Sequence, residues 1–256
     1  MSKCIRLDKY LADMGLGTRT EVKEYIKKGK ITVDGLVIKK PEQKINANEQ
    51  KICMEGKQIV YEEWEYYMLN KPAGVVSAVS DAREKTVINL ITTTKRKDLF
   101  PVGRLDKDTE GLLLITNDGK LSHSLLSPKK HVDKTYYAKI DGMITEKEIE
   151  QFAKGICLKE ESKREKRKGT EGIFTLPAKL KILSSADCSE VEITIQEGKY
   201  HQVKRMFEAV GTKVIYLKRL AMGNLVLDKA LRPGEYRPLT EEEVEQLKNR
   251  SAYVKE

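Results

Sequence analysis

The ten residues Gly103 to Leu112, Gly-Arg-Leu-Asp-Lys-Asp-Thr-Glu-Gly-Leu, set an acid beside fixed cations and bracket it with two glycines. A carboxylate beside an arginine keeps its negative charge, because the ion pair favours the ionised form. A glycine at each end lets the backbone bend sharply around Asp106. An ionised carboxylate held in place can serve as a nucleophile. A charged surface turn running into the strand Leu113-Leu114-Ile115-Thr116 would have the same composition, and for a lone acid in a loop that is the commoner case. The rest of the chain has to decide between them.

The elements that would position this loop follow from periodicity. Short β-like runs at 112–116, 135–140, 178–183, 191–196 and 213–217 alternate irregularly with helical stretches near 87–91, 146–154 and 202–210. That mixture predicts an α+β class with a largely antiparallel sheet. Ahead of it, Leu7, Tyr10, Leu11 and Met14 fall at i, i+3, i+4 and i+7, a helix with one buried stripe that Gly15 stops. Thr18-Arg19-Thr20-Glu21 reads as a capping box, so a second helix follows with Val22, Tyr25 and Ile26 inward and Arg19, Lys23, Lys27 and Lys28 outward. Such a basic face can meet phosphates from one side. Ile31-Thr32-Val33, the turn Asp34-Gly35 and Leu36-Val37-Ile38 make a hairpin. The polar residues 55–65 are expected to be a linker, dividing the chain into domains at 1–59 and 60–256. The stretch 159–168 has no apolar residue and is expected to be a loop, and a second capping box at Thr240 opens a terminal helix.

Composition narrows the function classes. The 256 residues are 39% apolar and contain no run near the length of a membrane span. The amino terminus lacks the apolar stretch of a signal peptide, so a cytoplasmic location is expected. Cys4, Cys53, Cys157 and Cys188 form no C-x-x-C pair, which argues against a disulfide framework and a zinc site, and His123, His131 and His201 form no ligand spacing. No metal and no cofactor are expected. The net charge of +9 points to a polyanionic partner, nucleic acid being the usual one. Residues 1–58 hold 13 Lys and Arg against 8 Asp and Glu, more than half of that excess in under a quarter of the chain.

Arg104-Leu105-Asp106-x-Asp108-Thr109-x-Gly111-Leu112-Leu113 resembles the signature loop of the RsuA-type ribosomal RNA pseudouridine synthases. Three segments agree with it in order: Tyr67 to Val76, His131 to Tyr136, and Glu197 to Phe207. The first domain resembles an S4-type RNA-binding module from Arg6-Leu7-Asp8-Lys9-Tyr10-Leu11 to Lys44. The resemblance implies a catalytic domain built on a bent mixed sheet with its cleft across the middle, and an isomerisation that needs no cofactor. It assigns Asp106 as nucleophile or base and Lys204 as the cation that keeps it ionised, with Arg205 as partner if the correspondence slips by one. Tyr136 would stack on the flipped uracil with its hydroxyl near C5, whereas Tyr137 would be a packing residue. Arg104 would occupy the space the base vacates, Leu217 would wall the base pocket, and Arg6, Lys9, Arg19, Lys23, Lys27 and Lys28 would bind RNA. Tyr200 to Phe207 and Pro233 to Thr240 resemble the small-subunit branch, which implies 16S ribosomal RNA or a small-subunit assembly intermediate as partner and uridine 516 as target. A monomer is expected, since no apolar stripe is left unexplained. The alternatives are a synthase acting on large-subunit 23S RNA and a non-catalytic assembly factor.

Overall fold

A computed structural model describes residues 4–159 and 172–252. Of the charged stretch 159–168, only Lys159 falls among the described residues. The chain divides into two compact units, Met1–Glu65 with Ile91–Leu99, and Tyr66–Leu90 with Phe100–Glu256.

In the first unit β1 (Cys4–Arg6), α1 (Leu7–Asp13), α2 (Arg19–Lys27), β2 (Ile31–Val33), β3 (Leu36–Val37), β4 (Lys44–Asn46), β5 (Ile52–Met54) and β6 (Lys57–Ile59) follow one another. The helical stripe is realised: Leu7, Leu11, Val22 and Ile26 are fully buried against Ile31, Ile45 and Ile52, while Tyr25 is only partly buried. The Thr18 N–H donates to Glu21 Oε2 at 2.7 Å and the Glu21 N–H to Thr18 Oγ1 at 3.3 Å, closing the capping box. Asp34 and Gly35 both take positive φ, 52° and 82°, as a two-residue turn matched to strand twist requires. Residues 57–59, expected in a linker, instead form β6 and pair with β5. Glu55 and Gly56 make a second turn of the same kind, with φ of 49° and 80°, and the polar composition of Lys57-Gln58 concealed the strand. The segment 91–99 is tied in by Arg96, whose side chain is 5% exposed and forks onto Asp98 at 2.9 and 2.6 Å, with Asp13 at 3.5 Å.

The second unit contains β7 (Tyr66–Lys71), β8 (Phe100–Pro101), β9 (Glu110–Thr116), α3 (Gly119–Leu126), β10 (Lys134–Asp141), α4 (Glu146–Lys154), β11 (Cys157–Leu158), β12 (Ile173–Phe174), β13 (Lys179–Ser184), β14 (Cys188–Ile195), α5 (Gln202–Ala209), β15 (Lys213–Met222), β16 (Leu225–Val226), β17 (Tyr236–Pro238) and α6 (Glu241–Ala252). The stretch near 87–91 is a 3₁₀ turn over Val87–Leu90. The sheet runs β13-β14-β10-β15-β9-β7-β17, with β8 on β9 and β16 on β15. Its pairs are antiparallel except β15 with β9, so the sheet is mixed and largely antiparallel. Strand β10 alternates strictly, with Lys134, Tyr136, Ala138 and Ile140 buried and the residues between them partly exposed, the signature of one covered face. Strand β9 buries Gly111 through Thr116 without a break, as a central strand covered on both faces does. Met68, Leu112, Leu114, Leu121, Leu125, Met222 and Leu247 form one core cluster, and elsewhere Phe152 of α4 meets Phe207 of α5 at 4.9 Å between ring centres.

Strands β9 and β15 touch at Arg219 and Gly111, where they run parallel. A Cβ at residue 111 would lie 2.3 Å from the Arg219 carbonyl oxygen, and its φ is +100°. Only glycine fits both the space and the conformation.

Candidate active site

The loop between β8 and β9 carries Asp106, and the protein fixes this loop from behind. Lys71, at the end of β7, is completely buried. Its ammonium donates to the carbonyls of Pro72 and Asp106 at 3.0 Å, Thr109 at 2.9 Å and Lys107 at 3.3 Å. Burial pushes the Lys71 amine down to about 8, against the opposing pull of Asp108, Asp106 and Glu110. The four carbonyl acceptors favour the charged form, so the group sits in a site that both strains and uses its proton. The Gly74 N–H donates to the Lys107 carbonyl at 2.7 Å, and Ser77 Oγ bridges both backbone groups of Leu105 at 2.9 and 3.1 Å. Every backbone residue from 105 to 107 is therefore held.

The side chain of Asp106 points away from that scaffold and is 30% exposed. Half-burial leaves the carboxylate reachable from the cleft. Lys204 comes from the first turns of α5, where Val203, Arg205 and Met206 are buried and Lys204 is left facing out. Its ammonium lies 3.5 Å from Asp106 Oδ2 and closer still to Asp108, 2.7 and 2.8 Å from the two oxygens. The hydrogen bond from Lys204 holds the Asp108 carboxyl below its usual range. Arg205 instead turns its guanidinium to the backbone, donating to the carbonyl of Tyr200 at 3.0 Å and to that of Lys159. The cation at Asp106 is thus Lys204.

An open cleft is lined by Arg104, Asp106, Tyr136, Lys204 and Leu217, with Ile195 and His201. Five of the residues named from sequence therefore meet in one place. Tyr136 is 7% exposed on β10, and Leu217 is 6% exposed on β15 opposite Ala138. Tyr137 points to the other side, its ring edge-on to Tyr216 at 6.0 Å. The remaining named residues lie in the first unit. Lys9, Arg19, Lys23, Lys27 and Lys28 are exposed, whereas Arg6 spends its fork on the buried Asp8 at 3.0 and 2.8 Å.

Four residues at the site had no role in the sequence reading. Lys71 and His201 are two of them. His201 holds a left-handed conformation at φ 47°, stacks on Tyr200 at 3.8 Å between ring centres, and places Nε2 3.5 Å from Asp106 Oδ1. Strain of this kind in a non-glycine residue persists only where the surroundings impose it. Lys134 and Arg219 are the others, both buried and both lining the neighbouring part of the cleft with Asp106 and Tyr136. Among the described residues no three His, Cys, Asp or Glu side chains gather to hold a metal, and no helix is long and apolar enough to cross a membrane.

A family profile described as RNA pseudouridylate synthase matches residues 65–209, and the S4 domain profile matches residues 5–51. An uncharacterized RNA pseudouridine synthase of Bacillus subtilis is 47% identical over 242 residues, covering 94% of this chain and 97% of that protein. The ribosomal small subunit pseudouridine synthase A of Vibrio cholerae is 44% identical over 242 residues, covering 94% and 98%. A crystal structure of a pseudouridylate synthase superposes with a TM-score of 0.64 at 39% identity, covering 95% of this chain and 99% of that one. With a cleft that gathers Asp106, Tyr136 and Lys204 on a mixed sheet, and an S4 domain ahead of it, the chain belongs to the RNA pseudouridylate synthase family.

Proposed function

We propose that the protein isomerises a uridine to pseudouridine in small-subunit ribosomal RNA, with uridine 516 of 16S RNA as the target. The observation that carries the chemistry is Asp106, a carboxylate on a clamped loop, facing a cleft with Lys204 beside it and Tyr136 and Leu217 in its wall. The likeness to relatives named as small-subunit synthases supports the choice of RNA.

The reaction breaks the bond from ribose C1′ to uracil N1, turns the ring, and joins C1′ to C5. C5 loses a proton and N1 gains one, so nothing is consumed. Asp106 supplies the carboxylate, by attack on the ribose, attack on the ring or removal of a ribose proton. Lys204, 3.5 Å from its Oδ2, sets a positive charge beside it. The target must leave its stack to reach such a cleft, at a cost of a few kcal/mol. Tyr136 and Leu217 receive the flipped base, Tyr136 Oη stands where the C5 proton leaves, and Arg104 fills the vacated position. The exposed cations Lys9, Arg19, Lys23, Lys27 and Lys28 hold the RNA backbone without choosing the base, and Arg6 contributes less because Asp8 already engages it.

The test is incubation of the protein with unmodified 16S RNA, free and in small-subunit particles, followed by carbodiimide mapping, with Asp106→Ala as control. One new site, absent with the variant, supports the proposal. A site on 23S RNA alone would move the target to the large subunit, and no site on either would leave an RNA-binding assembly factor.

A further inference from the structure

The cleft contains two cations for which the proposed chemistry has no use. Lys134 and Tyr136 share the inward face of β10, and Leu217 and Arg219 share a face of β15, with Tyr136 opposite Arg219 and Ala138 opposite Leu217. Lys134 is 7% exposed and Arg219 2%, yet both line the cleft beside Asp106 and Tyr136. The Lys134 ammonium donates to the Val132 carbonyl at 3.0 Å, and Arg219 Nε donates to the Leu112 carbonyl at 2.7 Å. Both partners are neutral. Arg219 Nη2 is buried and has no hydrogen-bond partner at all.

The acids nearest Lys134 are engaged elsewhere. Glu197 is taken by Lys199, by Gln202 Nε2 at 2.9 Å and by the Leu176 N–H at 2.9 Å. Asp133 accepts from Gln196 Nε2 at 2.9 Å. Burial first, and then the charge of Arg219, push the Lys134 amine down to about 8, against the opposing pull of Asp133 and Glu197. Neither acid hydrogen-bonds to Lys134 or Arg219, and two like charges held out of water with only distant compensation are costly to keep.

We propose that Lys134 and Arg219 form a phosphate subsite on the cleft floor that takes a backbone phosphate adjoining the flipped nucleotide. An arginine fork offers paired donors and a lysine a point charge, the combination suited to a phosphodiester. Lys134 lies two residues along the strand from Tyr136, about 6.6 Å, a step comparable to the separation of a base from its own phosphate. A neutral edge of the uracil would leave both charges uncompensated. The proposal rests on the functional reading above, because a ring held at Tyr136 and Leu217 is what brings its phosphate to this spot.

The experiment measures binding of the full chain to a 16S RNA stem-loop in which the linkage 5′ or 3′ of the target is replaced by an uncharged methylphosphonate. The target is the uridine found by mapping, or uridine 516 if mapping finds none. One of the two replacements should weaken wild-type binding by roughly tenfold or more, the usual size of a lost charged hydrogen bond. Lys134→Met should lose a similar factor on the unmodified RNA, lose nothing further on the uncharged one, and melt no lower than wild type. Equal wild-type affinity for all three RNAs would overturn the subsite, as would a Lys134→Met defect that is the same on charged and uncharged RNA. Discrimination between the linkages without any pseudouridine formed would instead retain the subsite and remove the isomerase reading.

Discussion

Arg19, Lys23, Lys27 and Lys28 stand in water along one side of α2, whereas Lys71, Lys134 and Arg219 of the second unit have almost no exposed surface. The exposed cations keep their hydration and rotamer freedom, so each is inexpensive to maintain and each contributes little alone. Their effect is a sum over phosphates, and it is screened by salt. The buried cations have lost their hydration and are fixed by specific carbonyls, four of them for Lys71 and one each for Lys134 and Arg219. Lys71 provides position, while Lys134 and Arg219 hold a charge at one fixed point. Burial thus separates cations that form a diffuse positive face from cations that act at one fixed point.

The strongest challenge to this contrast is Lys71→Met. Removing the ammonium leaves the carbonyls of Pro72, Asp106, Lys107 and Thr109 without their donor, at a cost of at least about 2 kcal/mol. Displacing the loop by an ångström should lower turnover about a hundredfold. Normal melting and normal turnover in Lys71→Met would show that the buried amine positions nothing. The triple variant Lys23→Gln, Lys27→Gln, Lys28→Gln addresses the other side. RNA affinity should fall and the slope of log affinity against log salt should become shallower by about 2, with turnover at saturating RNA unchanged. An unaltered slope would remove α2 from the RNA contact.

Lys134 sharpens the comparison through pH. Its folded amine, near 8, lies below its ordinary value of 10.5, so the unfolded chain binds that proton more tightly. The group therefore destabilises the fold fully below about pH 8, and the penalty is relieved as pH rises through about 10.5. Lys134→Met should melt higher than wild type at about pH 7, and the gap should close by about pH 10.5. A gap that stays constant across the series would show that charge is not what the substitution removes. The smallest effect belongs to Thr18→Ala, which breaks the capping box of α2. It should cost about 1 kcal/mol, measured as a lowered melting temperature, and leave the chemistry at the cleft untouched.

Residues that meet in the cleft were legible where a loop motif and strand alternation fell together. Asp106, Tyr136 and Lys204 lie in separate segments 68 residues apart at the widest gap between neighbours, from Tyr136 to Lys204, and only the family resemblance joined them. The terminal helix and the α2 cap were readable from local hydrogen-bonding chemistry alone, as Thr240 and Glu243 show at 2.8 and 3.2 Å. Lys134 was readable in principle. Counting back by twos from Ile140 and Ala138 puts it on the buried face, but its charge argued for solvent. Lys71, at the end of the apolar run Tyr67-Met68-Leu69, was hidden for the same reason. Strand β6 was obscured by its polar composition, and the attachment of 91–99 to the first unit depends on Arg96 and Asp13, 83 positions apart, for which no local pattern exists.

The contact of Gly111 with the Arg219 carbonyl sets how far the acid-bearing loop stands from the strand that carries Leu217, and it does so through main chain against main chain. Side chains facing the cleft can then be exchanged without altering that gap, much as jaws are changed in a vice whose screw is locked. A substitution at residue 111 would shift the reach of the acid whatever the cleft holds.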